Sequence, residues 1–170
     1  DVQVEGVSGT LSDNYDPRSK VLHLSQAVAN SPSIASVAVA AHELGHAMQD
    51  QEGYLPLKFR SFIAPAVSIG SYLGWILILI GLVLNYANLA WLGVLVFAGG
   101  AVFALATLPV ELNASARAKR MLQESGIVTN LDEERGVNSV LNAAALTYVA
   151  ALATAVMQLL YFASMVAGFG

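Results

Sequence analysis

The fold is decided by the stretch 62–108, which reads FIAPAVSIGSYLGWILILIGLVLNYANLAWLGVLVFAGGAVFALATL and contains no charged residue. A helix of about 20 apolar residues is long enough to cross the hydrocarbon core of a bilayer. The stretch therefore has room for two crossings, and the uncharged turn NYAN at 85–88 separates them. We predict an antiparallel hairpin of two transmembrane helices, 62–84 and 89–108.

A second apolar stretch, 143–169, predicts a third transmembrane helix that is long enough to tilt. Only 12% of the 170 residues are charged, whereas about a quarter are charged in a soluble domain. Very hydrophobic core helices of a soluble protein are the alternative, but such helices keep a polar face, which 62–108 lacks. The composition predicts a mainly α-helical membrane protein in which residues 1–170 form a single membrane-embedded domain.

The first 25 residues have the pattern of short strands. Valines alternate with other residues from Val2 to Val7, and VLHL at 21–24 is a second β-type run. Between them Asp16 and Pro17 favour a turn, because proline presets φ and the aspartate can bond the backbone beyond it. We predict a small N-terminal antiparallel β element at 1–25, in which strand 21–25 offers an edge to an extended peptide.

Two helices are predicted outside the apolar stretches. Ser31 as N-cap and Pro32 at the first position begin a helix at 32–51, and Gly53 suits the left-handed position after it. Residues 110–125 are good helix formers and end near Gly126.

Helix 32–51 contains the motif AHELGHA at 41–47. His42 and His46 are four apart and lie on one helix face, so both rings can bind one Zn²⁺. Glu43 then lies close enough to take a proton from a zinc-bound water. Two exposed polar residues are the alternative, but residues 34–41 are apolar and small, which indicates a buried helix. Burying these side chains without a partner would cost several kcal/mol.

A catalytic zinc usually has three protein ligands and keeps the fourth position for water. The chain has no cysteine, so a third ligand must be His, Asp or Glu. The candidates are His23, Asp50, Glu52, Glu111 and the acidic run 132–134. Asp50 lies too far along the helix axis, at roughly 6 Å per four residues. The acidic run suits the first turn of a helix in water.

Glu111 is the favoured third ligand. It follows an uncharged span directly and is surrounded by Ala and Ser. Lys58 and Arg60 end the segment that contains the motif, and the hairpin returns the chain to the same side of the membrane at Pro109. The alternative is that Glu111 is an N-terminal helix charge stabilised by the macrodipole.

Four segments carry a family resemblance: LSDNYDPR at 11–18, VLHLS at 21–25, AAHELGHA at 40–47 and PVELNASARA at 109–118. The chain resembles membrane-embedded gluzincins of the prenyl-protease and heat-shock protease type, and more closely the YugP-like neutral zinc metallopeptidases. The resemblance implies a zincin-like active-site helix with His42 and His46 as ligands, Glu43 as general base and Glu111 as third ligand. Ser115 stands where the prenyl-protease type has an Asp.

A tetrahedral oxyanion needs a further donor. Arg117 and His23 are the first candidates, followed by Tyr15 and Tyr54, while Ser115 is a candidate for orienting a ligand. For each of these residues, a surface or packing role is the alternative.

These observations predict an integral-membrane, zinc-dependent endopeptidase that acts on membrane or unfolded polypeptides. The alternative is a proteolytically inactive membrane scaffold or assembly protein that zinc stabilises; Glu43 argues against it, because a structural site needs no base. A transporter is disfavoured because the predicted spans contain no ionisable residue. The net charge of −4 gives no nucleic-acid footprint.

The predicted location is the cell membrane, as a multi-pass protein with its catalytic side in the cytoplasm. Lysines and arginines near span ends mark the cytoplasmic side. Five of them flank the predicted spans on the catalytic side and none lies in the turn 85–88: Lys58, Arg60, Arg117, Lys119 and Arg120.

Overall fold

The structure, a computed structural model, describes residues 2–10 and 12–168. Its strands are β1 (Gln3–Val7), β2 (Asn14–Asp16) and β3 (Val21–Ser25). Its helices are α1 (Gln26–Ala29), α2 (Ile34–Gln51), α3 (Leu55–Val83), α4 (Ala87–Glu124) and α5 (Leu131–Ala167). The predicted fold class, a mainly helical chain with three long apolar helices and a small N-terminal sheet, is confirmed.

The sheet has the order β1-β3-β2 and is mixed rather than antiparallel throughout. β2 and β3 are antiparallel around a turn that the Lys20 amide closes on the Asp16 carbonyl at 2.8 Å, but β1 runs parallel to β3. A parallel pair needs a connection of about a dozen residues, and residues 8–20, which include β2, supply it. The prediction of an antiparallel element is therefore wrong for β1. Because β3 has a partner on each side, the predicted peptide-binding edge at 21–25 is also wrong.

Helix α2 begins two residues later than predicted. Ser33, not Ser31, is its N-cap, because the Ser33 hydroxyl accepts a hydrogen bond from the Ser36 amide at 3.1 Å. At the other end Gly53 has a φ of 68° and donates its amide to the Asp50 carbonyl at 3.0 Å. The prediction of a left-handed glycine after this helix is confirmed.

The long helices join segments that the sequence pattern separates. Helix α3 begins at Leu55 rather than near residue 62. Helix α4 continues through Pro109, so that it contains the predicted helix 89–108 and all but the last residue of the predicted helix 110–125. Helix α5 begins at Leu131 and includes most of the predicted span 143–169, of which residue 169 lies outside the described chain. Proline removes one helical hydrogen bond, which is why Pro109 favoured a boundary on sequence grounds.

The chain forms two compact units, and the prediction of a single domain stays a prediction. The first unit comprises Asp1–Leu57 and Val110–Thr147. Its core is made of small and aliphatic side chains on α2, α4 and α5: Ala38, Ala41, Ala118, Leu122, Val137 and Leu141. Alanines at such positions let helix backbones approach closely, and the candidate site lies in this unit.

The second unit comprises Lys58–Pro109 and Tyr148–Gly170, with a core around Ile78, Ala90, Val94 and Val166. Glycines let α3 and α4 pack closely: a Cβ added to Gly74 would lie 2.7 Å from the Phe97 nitrogen. Large apolar side chains such as Phe62 point outward. By length and composition α3, α4 and α5 are each able to cross a membrane.

Candidate metal centre

Two imidazole rings stand side by side on α2. His42 and His46 are one helical turn apart, their ring centroids are 4.9 Å apart, and the ring planes are nearly perpendicular at 87°. Both residues are buried, with 8% and 9% of their surface exposed. Each ring directs its Nε2 atom towards the same carboxylate.

That carboxylate belongs to Glu111 on α4, which is only 2% exposed. Its Oε2 atom lies 3.0 Å from the His42 Nε2 and 3.4 Å from the His46 Nε2. The ligand atoms of these three residues all lie within 4.8 Å of one another, so the group could hold a metal ion. We call His42, His46 and Glu111 the metal trio. Two imidazole nitrogens and one carboxylate form a donor set that suits a zinc ion with an open position.

The metal trio depends on a close approach of α2 and α4, and Gly45 permits it. A Cβ added to Gly45 would lie 2.5 Å from the Ala114 carbonyl oxygen, far inside van der Waals contact. On the facing side of α4, Val110, Ala114 and Ala118 are fully buried. Small residues on both helices therefore bring Glu111 within reach of the two histidines.

Each histidine also has a partner for its other ring nitrogen. The His42 Nδ1 lies 3.1 Å from the Ser115 hydroxyl, and the His46 Nδ1 lies 3.0 Å from the Gln49 Oε1. Such contacts usually orient metal-ligating histidines. The structure thus places Ser115 beside the trio, at the position where the resemblance implied an Asp. Gln49 was missed on sequence grounds, although its position three residues after His46 puts it on the same helix face.

Glu43 lies beside the metal trio and is held by the backbone of β2. The Tyr15 amide donates to the Glu43 Oε2 at 3.1 Å. Burial raises the pKa of the Glu43 carboxyl, and Glu111 raises that pKa further, while His46 and His42 act in the opposite direction. A raised pKa suits a carboxyl group to general-base catalysis near neutral pH, so Glu43 stays a candidate for that role.

The Tyr15 side chain is directed away from Glu43. Its hydroxyl donates to the Asp50 Oδ2 at 2.9 Å, and burial together with this hydrogen bond raises the Tyr15 pKa to about 12. Asp50, a candidate third ligand on sequence grounds, is therefore the partner of a tyrosine. The contact between Tyr15 and Glu43 is made by the Tyr15 backbone amide.

Arg117 and His23, the first candidates for an oxyanion donor, have hydrogen-bond partners outside the metal trio. The Arg117 Nη1 and Nη2 donate to the Glu52 carboxylate at 2.6 and 2.7 Å, and its Nε donates to the Asn113 Oδ1 at 2.7 Å. The His23 Nδ1 lies 3.1 Å from the Asn14 Oδ1, in the sheet. Each nitrogen of Arg117 is thus engaged by Glu52 or Asn113. The structure brings neither Arg117 nor His23 into direct contact with the trio through these bonds.

The remaining candidates for a third ligand also have other roles. Glu52 is the partner of Arg117. At the start of α5, Asp132 pairs with Arg135 at 3.3 Å and the Glu133 carboxylate accepts the Thr129 amide at 2.9 Å. These contacts are typical of the first turn of a helix, as the sequence suggested.

Comparison with known proteins points to the same chemistry. A family model described as "Putative neutral zinc metallopeptidase" matches residues 1–167. The "Putative membrane protease YugP" of Bacillus subtilis (strain 168) is 48% identical over 162 residues, which cover 95% of this chain and 72% of that protein. No solved structure matches the chain.

Proposed function

Because the chain belongs to the family described as neutral zinc metallopeptidases, we propose that it is an integral-membrane, zinc-dependent endopeptidase. The observation that carries the proposal is the metal trio, three buried ligand atoms within 4.8 Å of one another, with Glu43 beside it. His42 and His46 from α2 and Glu111 from α4 would hold the ion.

When bound by these three residues, a zinc ion would lower the pKa of a bound water to about 7 and would polarise the scissile carbonyl. Glu43 accepts the water proton and returns it to the leaving amine. The Tyr15 amide donates to the Glu43 Oε2 and so fixes the orientation of the carboxylate, which leaves Oε1 as the proposed proton acceptor.

The proposed substrates are membrane or unfolded polypeptides. The relative's name describes a membrane protease, and three helices of this chain are able to cross a bilayer. We place the protein in the cell membrane with its catalytic segments, 1–60 and 109–142, in the cytoplasm. The positive-inside rule supports this orientation, because the basic residues near span ends all lie in or next to these segments.

The test compares the purified wild-type chain in detergent with Glu43→Gln. Both should contain one zinc per chain, but Glu43→Gln should lose nearly all cleavage of casein, since the amide keeps the shape and cannot accept the water proton. Glu124→Gln, which makes the same change at an exposed position at the end of α4, is the matched control and should cleave like wild type. Zinc binding without any cleavage by the wild type would contradict the proposal and favour the scaffold.

A further inference from the structure

A chain of hydrogen bonds connects the surface of α4 with His46. The Arg117 Nε donates to the Asn113 Oδ1 at 2.7 Å, and the Gln49 Nε2 donates to that same oxygen at 2.9 Å. The Gln49 Nε2 also donates to the Val110 carbonyl at 2.8 Å, while its Oε1 lies 3.0 Å from the His46 Nδ1. We call Gln49, Asn113 and Arg117 the amide relay.

The relay has a fixed direction because it begins at a group that can only donate. A guanidinium has no acceptor atom, so Arg117 requires the oxygen of the Asn113 amide. Because the Asn113 oxygen can only accept a hydrogen bond, the Gln49 atom that faces this oxygen must be the amino nitrogen, which donates. The Val110 carbonyl, which can only accept, requires the same orientation. Gln49 is fully buried, so turning its amide over would leave buried polar atoms unpaired, at about 1–3 kcal/mol per group.

The direction of the relay decides which nitrogen of His46 carries the proton. The Gln49 Oε1 can only accept, so the His46 Nδ1 must be the donor. A neutral imidazole has one proton, and its Nε2 then keeps the lone pair that a metal needs. That Nε2 faces Glu111.

We propose that the amide relay is a positioning device that holds His46 in the tautomer able to bind the metal through Nε2, with Arg117, acting through Asn113, and the Val110 carbonyl together fixing its direction. The inference rests on the proposed function. It gives Arg117 a role through Asn113 and Gln49 in place of an oxyanion contact. The forked pair with Glu52, at 2.6 and 2.7 Å, holds the guanidinium at the start of the relay.

The two histidines differ in this respect. The partner of the His42 Nδ1 is the Ser115 hydroxyl, which can donate or accept. A hydroxyl therefore adapts to either tautomer and selects neither. The relay acts on His46 alone, and changes at Asn113 should weaken metal binding although Asn113 does not itself contact the trio through the bonds described.

The experiment measures zinc affinity of the full chain in detergent by competition with a chromophoric chelator. Gln49→Leu removes the acceptor and should lower zinc affinity by about 10–100-fold, the usual cost of losing such a partner. Asn113→Leu breaks the relay one step further away and should lower zinc affinity by about 10-fold. Asn113→Asp is the matched variant, because a carboxylate still accepts from both Gln49 and Arg117, and it should bind zinc as wild type does.

Two further readings separate positioning from folding. The visible spectrum of the Co²⁺-loaded chain should change in Asn113→Leu and stay the same in Asn113→Asp, and the helical circular dichroism of the metal-free variants shows whether they fold. If Gln49→Leu does not fold, the comparison of Asn113→Leu with Asn113→Asp tests the relay. Equal zinc affinity of Asn113→Leu and wild type overturns the relay, and so does an equal loss in Asn113→Asp and Asn113→Leu. If the wild type binds zinc but does not cleave casein, the peptidase proposal is refuted, and the order of zinc affinities among the variants still tests the relay. If the wild type binds no zinc, both the peptidase proposal and the relay are overturned.

Discussion

Gly45→Ala should damage the candidate metal centre more than its size suggests. The added methyl group would lie 2.5 Å from the Ala114 carbonyl oxygen, and 3.1 and 3.2 Å from the carbonyl carbon and Cα of the same residue. All three are backbone atoms of α4 and cannot rotate away. Ordinary contact begins near 3.4 Å, so α4 must move by about 0.9 Å relative to α2 at this point.

A shift of this size matters because Ala114 lies between Glu111 and Ser115 on α4. Ligand distances in metal sites hold to about ±0.2 Å, and a misplacement of 1 Å in an active site can cost about 100-fold in rate. We therefore expect Gly45→Ala to lower kcat/KM on casein by about 100-fold and to weaken zinc binding. The effect on unfolding is smaller, since overpacking costs about 1–3 kcal/mol and replacing a helical glycine with alanine returns up to about 1 kcal/mol.

The assay measures zinc affinity and casein cleavage side by side. Gly99→Ala is the matched control, because it makes the same change within a helix where the nearest atom outside the local helix backbone to the new methyl group, the Val67 Cγ2, is 3.9 Å away. The control should behave as wild type. Wild-type zinc affinity and cleavage in Gly45→Ala would refute the argument that close packing of α2 on α4 builds the site.

Two further predictions concern orientation and acid stability. A reporter that is active only outside the cytoplasm should give signal when fused at Asn88 and none at Asp132; the reverse pattern would put the catalytic segments outside. In the Glu43→Gln chain, which lacks the carboxyl group whose pKa burial raises, thermal stability should fall on acidification from about pH 6 to about pH 3, because hydrogen bonds from the Arg18 amide to Asp16 and from Arg117 to Glu52 hold the pKa of both carboxyl groups below their usual values in the folded chain. Their stabilisation is present above the unfolded pKa and is lost as the pH falls through the folded one, and an unfolding midpoint that rises on acidification would contradict this.

The long apolar helices and the motif helix follow from local features of the sequence. An uncharged run as long as 62–108 lacks the polar face that helices of a soluble protein keep, and the spacing of His42 and His46 puts both residues on one helix face. The structure shows Glu111 close to the two histidines. This closeness could be predicted from the sequence, because a predicted hairpin of two spans returns the chain to the side of the membrane from which it started. The catalytic and ligand roles of these residues stay predictions.

What escaped prediction depends on tertiary contacts. β1 lies on the side of β3 opposite to β2 and pairs with β3 in parallel, and short valine-rich runs carry no mark of strand direction. No sequence motif marks Gln49 as a partner of His46, because its orientation depends on Val110 and Asn113, which lie opposite it only in the folded chain. Arg117 looked available for an oxyanion because its partner Glu52 is 65 residues away along the chain.

The central claim is that His42, His46 and Glu111 bind a catalytic zinc, and X-ray absorption at the zinc edge of the loaded chain tests it most directly. The account predicts two imidazoles and carboxylate or water oxygens at about 2.0–2.2 Å, with one imidazole fewer in His46→Ala and loss of tight binding in Glu111→Gln. An ion whose spectrum shows no imidazole, or stays the same in both variants, would contradict the account.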